Sequence, residues 1–103
     1  MENIDLNAEQ FGETFKNTPG AILLDVRTPE EFESGHLPGA LNINIMGHEF
    51  HEQIEDLDRE REYFVYCKAG GRSSNACRYM ETQGFSKLHN LVGGITAWNG
   101  DVE

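Results

Sequence analysis

The chain has 103 residues, 38% of them hydrophobic, and a formal net charge of −10. That size and apolar share suit a single domain, residues 1–103, with one core of its own. So acidic a protein is repelled by nucleic acid and by anionic membrane, and neither is expected as a partner. Two cysteines, Cys67 and Cys77, are too few for a disulfide scaffold.

The N-terminus opens Met1-Glu2-Asn3-Ile4-Asp5, acidic and with no apolar signal region behind it, so a cytoplasmic location is expected. The longest aliphatic stretch, Ala21-Ile22-Leu23-Leu24, is far short of the ~20 residues that a membrane span needs.

In chain order, Asn7 can cap a first helix over residues 8–16, with Phe11 and Phe15 on one face. Thr18-Pro19-Gly20 breaks it. Residues 21–26 form an apolar run interrupted only by Asp25, as a strand buried on both faces requires. Thr28-Pro29-Glu30-Glu31 is a helix start: a capping hydroxyl, proline at the first helical position, then acids in the first turn. Gly35 ends that helix, and a turn through residues 36–39 leads to a strand over 41–45. An acid-rich helix is expected over 48–57 and a strand over 63–66. A helix over 72–83 ends at Gly84, and a strand follows over 87–92. Gly93-Gly94 makes a turn, and residues 95–98 make one last helical turn. Strands alternating with helices predict an α/β fold, with helices on both faces of a mostly parallel sheet.

Cys67 falls at the carboxyl end of the strand over 63–66, where open α/β sheets place their ligand sites. The run Cys67-Lys68-Ala69-Gly70-Gly71-Arg72-Ser73 then enters a helix. Two glycines let several N–H groups turn toward one point, and the helix adds the positive end of its dipole. Residues 63–80 contain no Asp or Glu, yet include Lys68, Arg72 and Arg78, in a chain with eighteen acids. Thiol chemistry needs such a setting, because a free thiol with a pKa near ~8.5 is only a few per cent thiolate at neutral pH. Lowering it by about two units takes roughly 2.7 kcal/mol of preference for the anion. A helix terminus provides about 0.3–1 kcal/mol, so inward N–H groups and the cations must add the rest.

Three ordered stretches carry a family resemblance. Leu24-Asp25-Val26-Arg27-Thr28-Pro29-Glu30-Glu31-Phe32 with Gly35-His36-Leu37-Pro38-Gly39-Ala40-Leu41-Asn42-Ile43 resembles the first signature of rhodanese domains. Residues 67–73 resemble the rhodanese active-site loop. Gly84-Phe85, Asn90-Leu91-Val92-Gly93-Gly94-Ile95 and Trp98 resemble the C-terminal signature.

The resemblance implies a rhodanese-like three-layer sandwich with a five-stranded central sheet, and a sulfurtransferase that carries a persulfide on Cys67. The substrate cradle would be the loop Lys68, Ala69, Gly70, Gly71, Arg72 and Ser73, with Asp25 and Arg27 close behind it. The implied partners are a small-molecule sulfur donor such as thiosulfate and an acceptor, cyanide or a thiol, a thiol protein included. No cofactor and no metal are implied. Asn44 stands where the family often has proline.

Other functions fit less well. Cysteine-dependent phosphatases and arsenate reductases typically place five residues between cysteine and arginine, and here there are four. A non-enzymatic interaction module on this fold usually lacks the cysteine. Cys77 reads as a packing residue on a helix face, with a resolving thiol as the lesser reading. His48-Glu49-Phe50-His51-Glu52 lacks the H-E-x-x-H arrangement and reads as a solvated helix face. His36 reads as structural, and Trp98 and the phenylalanines as core. Arg72 either contacts substrate or pins the loop to an acid such as Asp25.

Overall fold

The computed structural model describes residues 2–103. Five strands form the sheet: β1 (Glu2–Leu6), β2 (Ile22–Asp25), β3 (Leu41–Asn42), β4 (Tyr63–Tyr66) and β5 (Lys87–Leu91). They lie in the order β1-β5-β4-β2-β3, and every pairing is parallel. The helices are α1 (Ala8–Lys16), α2 (Pro29–Glu33), α3 (Phe50–Glu55) and α4 (Gly71–Thr82), with a 3-10 turn at Gly94–Ala97. This is the expected α/β architecture. Among the described residues no helix is long and apolar enough to cross a membrane.

The central strand shows why Tyr63-Phe64-Val65-Tyr66 is apolar throughout: all four are fully buried. Alternation sends Phe64 and Tyr66 to one face, against Phe11, Leu37 and Leu91. It sends Tyr63 and Val65 to the other, against Ile54, Met80 and Phe85. On the first face, Phe11 and Phe15 of α1 meet Phe64 edge-on at 5.5 and 5.3 Å. On the second, Ala76, Cys77 and Met80 of α4 are buried at helical spacing. Phe15, Phe32 and Trp98, expected in the core, are only partly covered.

Three elements differ from the sequence reading. β1 was not expected as a strand, because Glu2-Asn3-Ile4-Asp5-Leu6 offers just two apolar residues; its pairing partner, β5, lies 81 or more positions away in sequence. The third strand is two residues long rather than five. Asn44 turns the chain there: its side chain accepts the Met46 N–H at 3.0 Å and its carbonyl accepts the Gly47 N–H at 3.0 Å. The third helix is six residues long rather than ten, and Glu49 at its start makes no side-chain cap.

Candidate active site

Both signatures around α2 and α4 close on the carboxyl edge of β2 and β4. Thr28 and Glu31 form a reciprocal capping box with Pro29 in the first turn, which sets α2 directly after β2. The start of α4 is built differently. Gly70 is its N-cap at φ 107° and makes no side-chain cap, so the first-turn N–H groups need another acceptor.

That acceptor is the sulfur of Cys67. The Gly70 N–H donates to Sγ at 3.0 Å and the Ser73 N–H donates at 3.3 Å. The Ser73 hydroxyl lies 3.4 Å away. Burial pushes the Cys67 thiol up, but the Ser73 hydroxyl and the N–H groups of Ser73, Gly70 and Ala69 outweigh it, leaving the thiol below its ordinary value. The net direction favours the thiolate, the nucleophilic form. Cys67 is only 1% exposed.

Behind this loop packs the second glycine pair. The Ile95 N–H donates to the Cys67 carbonyl at 2.9 Å, and the Thr96 N–H and hydroxyl donate to the Lys68 carbonyl at 3.2 and 2.9 Å. The turn at Gly93-Gly94 is thus the floor on which the cysteine loop rests.

Of the other residues singled out from sequence, Lys68, Ala69 and Gly71 are exposed on the loop. Arg72 is paired with Glu31, not with Asp25. Its Nη1 and Nη2 donate to the two carboxylate oxygens at 2.8 and 2.9 Å, a fork that ties α4 to α2. The Arg72 guanidinium holds the Glu31 carboxyl at about 2, with Thr28 adding further hydrogen bonds against the opposing pull of burial.

Asp25 instead receives Arg27, through the backbone N–H at 2.9 Å and the guanidinium at 2.7 to 3.1 Å. Both are buried beside Tyr66, and Arg27 Nη2 also donates to the Gly35 carbonyl at 2.7 Å. His36 stacks on Phe32 with ring centroids 3.8 Å apart. Its backbone exchanges hydrogen bonds with Glu103 at 3.1 and 2.7 Å. His51 stacks on Tyr79 at 4.6 Å. Cys77 is fully buried, and burial pushes its thiol up to about 12.

The Glu31–Arg72 pair has a measurable signature. Glu31→Gln keeps the capping oxygen and removes the charge. It is expected to cost about 1 kcal/mol at neutral pH, a small value because solvent screens a pair with each side chain 29% exposed. A depressed carboxyl stabilises the fold above its unfolded value and loses that contribution as pH falls through the folded one. The gap between parent and variant should therefore be full above about 4.5 and close toward about 2. Urea denaturation at a series of pH values reads it; a gap that stays constant down to the lowest pH would show that the charge contributes nothing.

Sequence reasoning passed over three residues of this neighbourhood. Glu31 was read as a helix-start acid within the first signature, with no part in the site. Asn90 is a buried amide inside β5, and Asp5 lies on the unrecognised β1. Polar residues set between Leu88 and Leu91 in an expected interior strand were the available signal for Asn90.

With this geometry in place, comparison with known proteins is direct. The Rhodanese-like domain family matches residues 7–101. The putative sulfurtransferase YtwF of Bacillus subtilis (strain 168) is 37% identical over 103 residues, covering 100% of this chain and 97% of that protein. Thiosulfate sulfurtransferase GlpE of Pseudomonas syringae pv. syringae (strain B728a) is 35% identical over 79 residues, covering 77% and 73%. Among solved structures, a rhodanese-related protein from Thermoplasma volcanium superposes with a TM-score of 0.83 at 30% identity, covering 97% of each chain. The chain belongs to the rhodanese-like domain family.

Proposed function

We propose that this protein is a sulfurtransferase of the thiosulfate:cyanide type, moving a sulfane sulfur through a persulfide on Cys67. Sulfur transfer in general is supported by family membership and by relatives named as sulfurtransferases, one of them a thiosulfate sulfurtransferase. The observation that carries the finer reading is the Cys67 sulfur standing as acceptor for the Gly70 and Ser73 N–H groups at the head of α4. Donors fixed on Sγ favour the thiolate, both as the attacking group and as the group that departs when the persulfide is discharged.

In the first half-reaction the Cys67 thiolate attacks the outer sulfur of thiosulfate. A Cys67 S–S bond forms, the S–S bond of thiosulfate breaks, and sulfite leaves with the electron pair. In the second, cyanide or a thiolate attacks the outer sulfur of the persulfide, and the Cys67 thiolate departs. With cyanide the product is thiocyanate. Lys68 on the exposed loop supplies positive charge for an anionic donor, and Ala69, Gly70, Gly71 and Ser73 supply backbone amides. Arg72, held by Glu31, contributes charge from the side, and Asp25 with Arg27 steadies the strand end behind. The low exposure of Cys67 favours small donors and acceptors over bulky ones. The reading includes a cytoplasmic setting, where small thiols are at hand as acceptors.

Mass spectrometry tests both half-reactions. Thiosulfate should add the mass of one sulfur atom to the Cys67 peptide, and cyanide should remove it with release of thiocyanate. A protein that gains no sulfur from thiosulfate refutes that donor; sulfur gained on Cys77 instead refutes the assignment of the nucleophile.

A further inference from the structure

A polar chain runs from the thiol through the sheet to its edge. Ser73 Oγ, on α4, lies 3.4 Å from Cys67 Sγ and donates to Oδ1 of Asn90 at 2.5 Å. Asn90, on β5, is 4% exposed, and its Nδ2 donates to Oδ1 of Asp5 on β1 at 3.2 Å. The line Asp5–Asn90–Ser73–Cys67 draws its members from three separate parts of the chain, brought together by the pairing of β1 with β5 and the seating of α4.

Counting protons along it gives a definite polarity. A carboxylate can only accept, so Asp5 turns the NH₂ end of the Asn90 amide toward itself and the amide oxygen toward Ser73. Ser73 has one hydroxyl proton. Asn90 takes it at 2.5 Å, ahead of the Gly70 carbonyl at 3.2 Å. The sulfur is then offered a lone pair, which suits a thiol S–H donating to Ser73 and opposes a thiolate. For the hydroxyl to stabilise the anion, its proton must leave Asn90 and rotate to the sulfur.

We propose that Asn90, oriented by Asp5, is a positioning residue that competes with Cys67 for the Ser73 hydroxyl proton and thereby sets how readily the nucleophile forms. While Cys67 is a thiol the proton sits on the Asn90 side. In the thiolate it turns to the sulfur and joins the backbone donors of Gly70 and Ser73, so the hydroxyl stabilises the anion only by giving up its bond to Asn90. The inference rests on Cys67 being the nucleophile, as proposed above, but its test needs no sulfur donor.

The test is a titration of Cys67 by ultraviolet thiolate absorbance, with Cys67→Ser protein as the blank so that Cys77 and the tyrosines cancel. Asn90→Leu, close in size and apolar, removes the competing acceptor and should lower the Cys67 pKa by about one unit, a tenfold gain in the thiolate-to-thiol ratio. Asp5→Asn lets the Asn90 amide turn round and should act in the same direction to a smaller extent. Since Asp5 is exposed, that variant carries the test if Asn90→Leu does not fold.

The other charged or titratable groups bearing on Cys67 are Arg72, itself held by Glu31 and acted on by the charge of Asp25, and Cys77, with Lys68 next to Cys67 in the chain. They are untouched by these changes, so the Ser73→Ala background isolates the hydroxyl. In that background both substitutions should leave the Cys67 pKa where it is. An unchanged or raised pKa in Asn90→Leu overturns the proposal. So does a shift that persists without the Ser73 hydroxyl, which would assign the effect to the Asp5 charge or to repacking. Protein that shows the shift yet forms no persulfide would refute the sulfur-transfer reading and leave this proton competition standing.

Discussion

Replacing Cys67 with serine is expected to abolish thiocyanate formation from thiosulfate and cyanide, a loss of roughly a thousandfold or more. A serine hydroxyl stays protonated at neutral pH, and no other thiol can take over. Cys77 is sealed in the core with its pKa pushed up to about 12, so it is neither ionised nor accessible. The fold should survive, because the serine oxygen can still accept from the N–H groups of Gly70 and Ser73. The change in stability should stay within about 1 kcal/mol. Initial rates of thiocyanate production, with thermal melting in parallel, read both quantities. Substantial residual activity in a folded Cys67→Ser protein would move the chemistry to another group.

The second large effect comes from a residue that touches no substrate. Gly94 sits at φ +61°, and an added Cβ would stand 2.2 Å from the Lys68 carbonyl oxygen and 2.5 Å from that of Cys67. Those atoms are backbone, and they are the acceptors for Ile95 and Thr96, so they cannot yield without moving the cysteine loop. Overpacking costs about 1–3 kcal/mol, and the left-handed backbone adds roughly 1–2 kcal/mol for a residue with a side chain. Gly94→Ala should therefore lose about 3 kcal/mol, which for a domain of this size lowers Tm by more than ~10 °C. It should also lose persulfide formation, because the Gly70 and Ser73 donors shift with the loop. Gly71→Ala is the matched control. It meets nothing within 4 Å and has no positive φ, and at the start of α4 it should be neutral or mildly stabilising. Equal behaviour of the two variants would show that the contact beneath the loop carries no weight.

Much of this site was readable before any coordinates. The cysteine at a strand end, two glycines, clustered cations and a following helix are local features, and local features are written in consecutive residues. The helix start at Thr28-Pro29 was legible for the same reason, since a capping box spans only four positions. Capping and alternation are properties of neighbours along the chain. The α/β alternation, the burial of β2 and the packing face of α4 followed from period and punctuation alone.

What lay beyond reach involved partners distant in sequence. Glu31 and Arg72 are 41 positions apart, Ser73 and Asn90 are 17 apart, and Asn90 and Asp5 are 85 apart. Nothing in the residues themselves prefers Glu31 over Asp25 as the acid for Arg72. The choice is made by β2 and β4 lying side by side, which seals Asp25 against Arg27 and leaves Glu31 facing α4. Strand β1 is the same case at the level of an element. Its five residues have too little apolar character to declare a strand, and the hydrogen bonds that make them one are supplied by β5 from the far end of the chain. The amino-acid sequence by itself pointed to Cys67 as the sulfur proposed to react and to the loop through Ser73 as its surroundings. The tertiary structure decided which hydrogen-bond partners and counter-charges surround that sulfur, because those depend on side chains that meet only after the sheet has assembled.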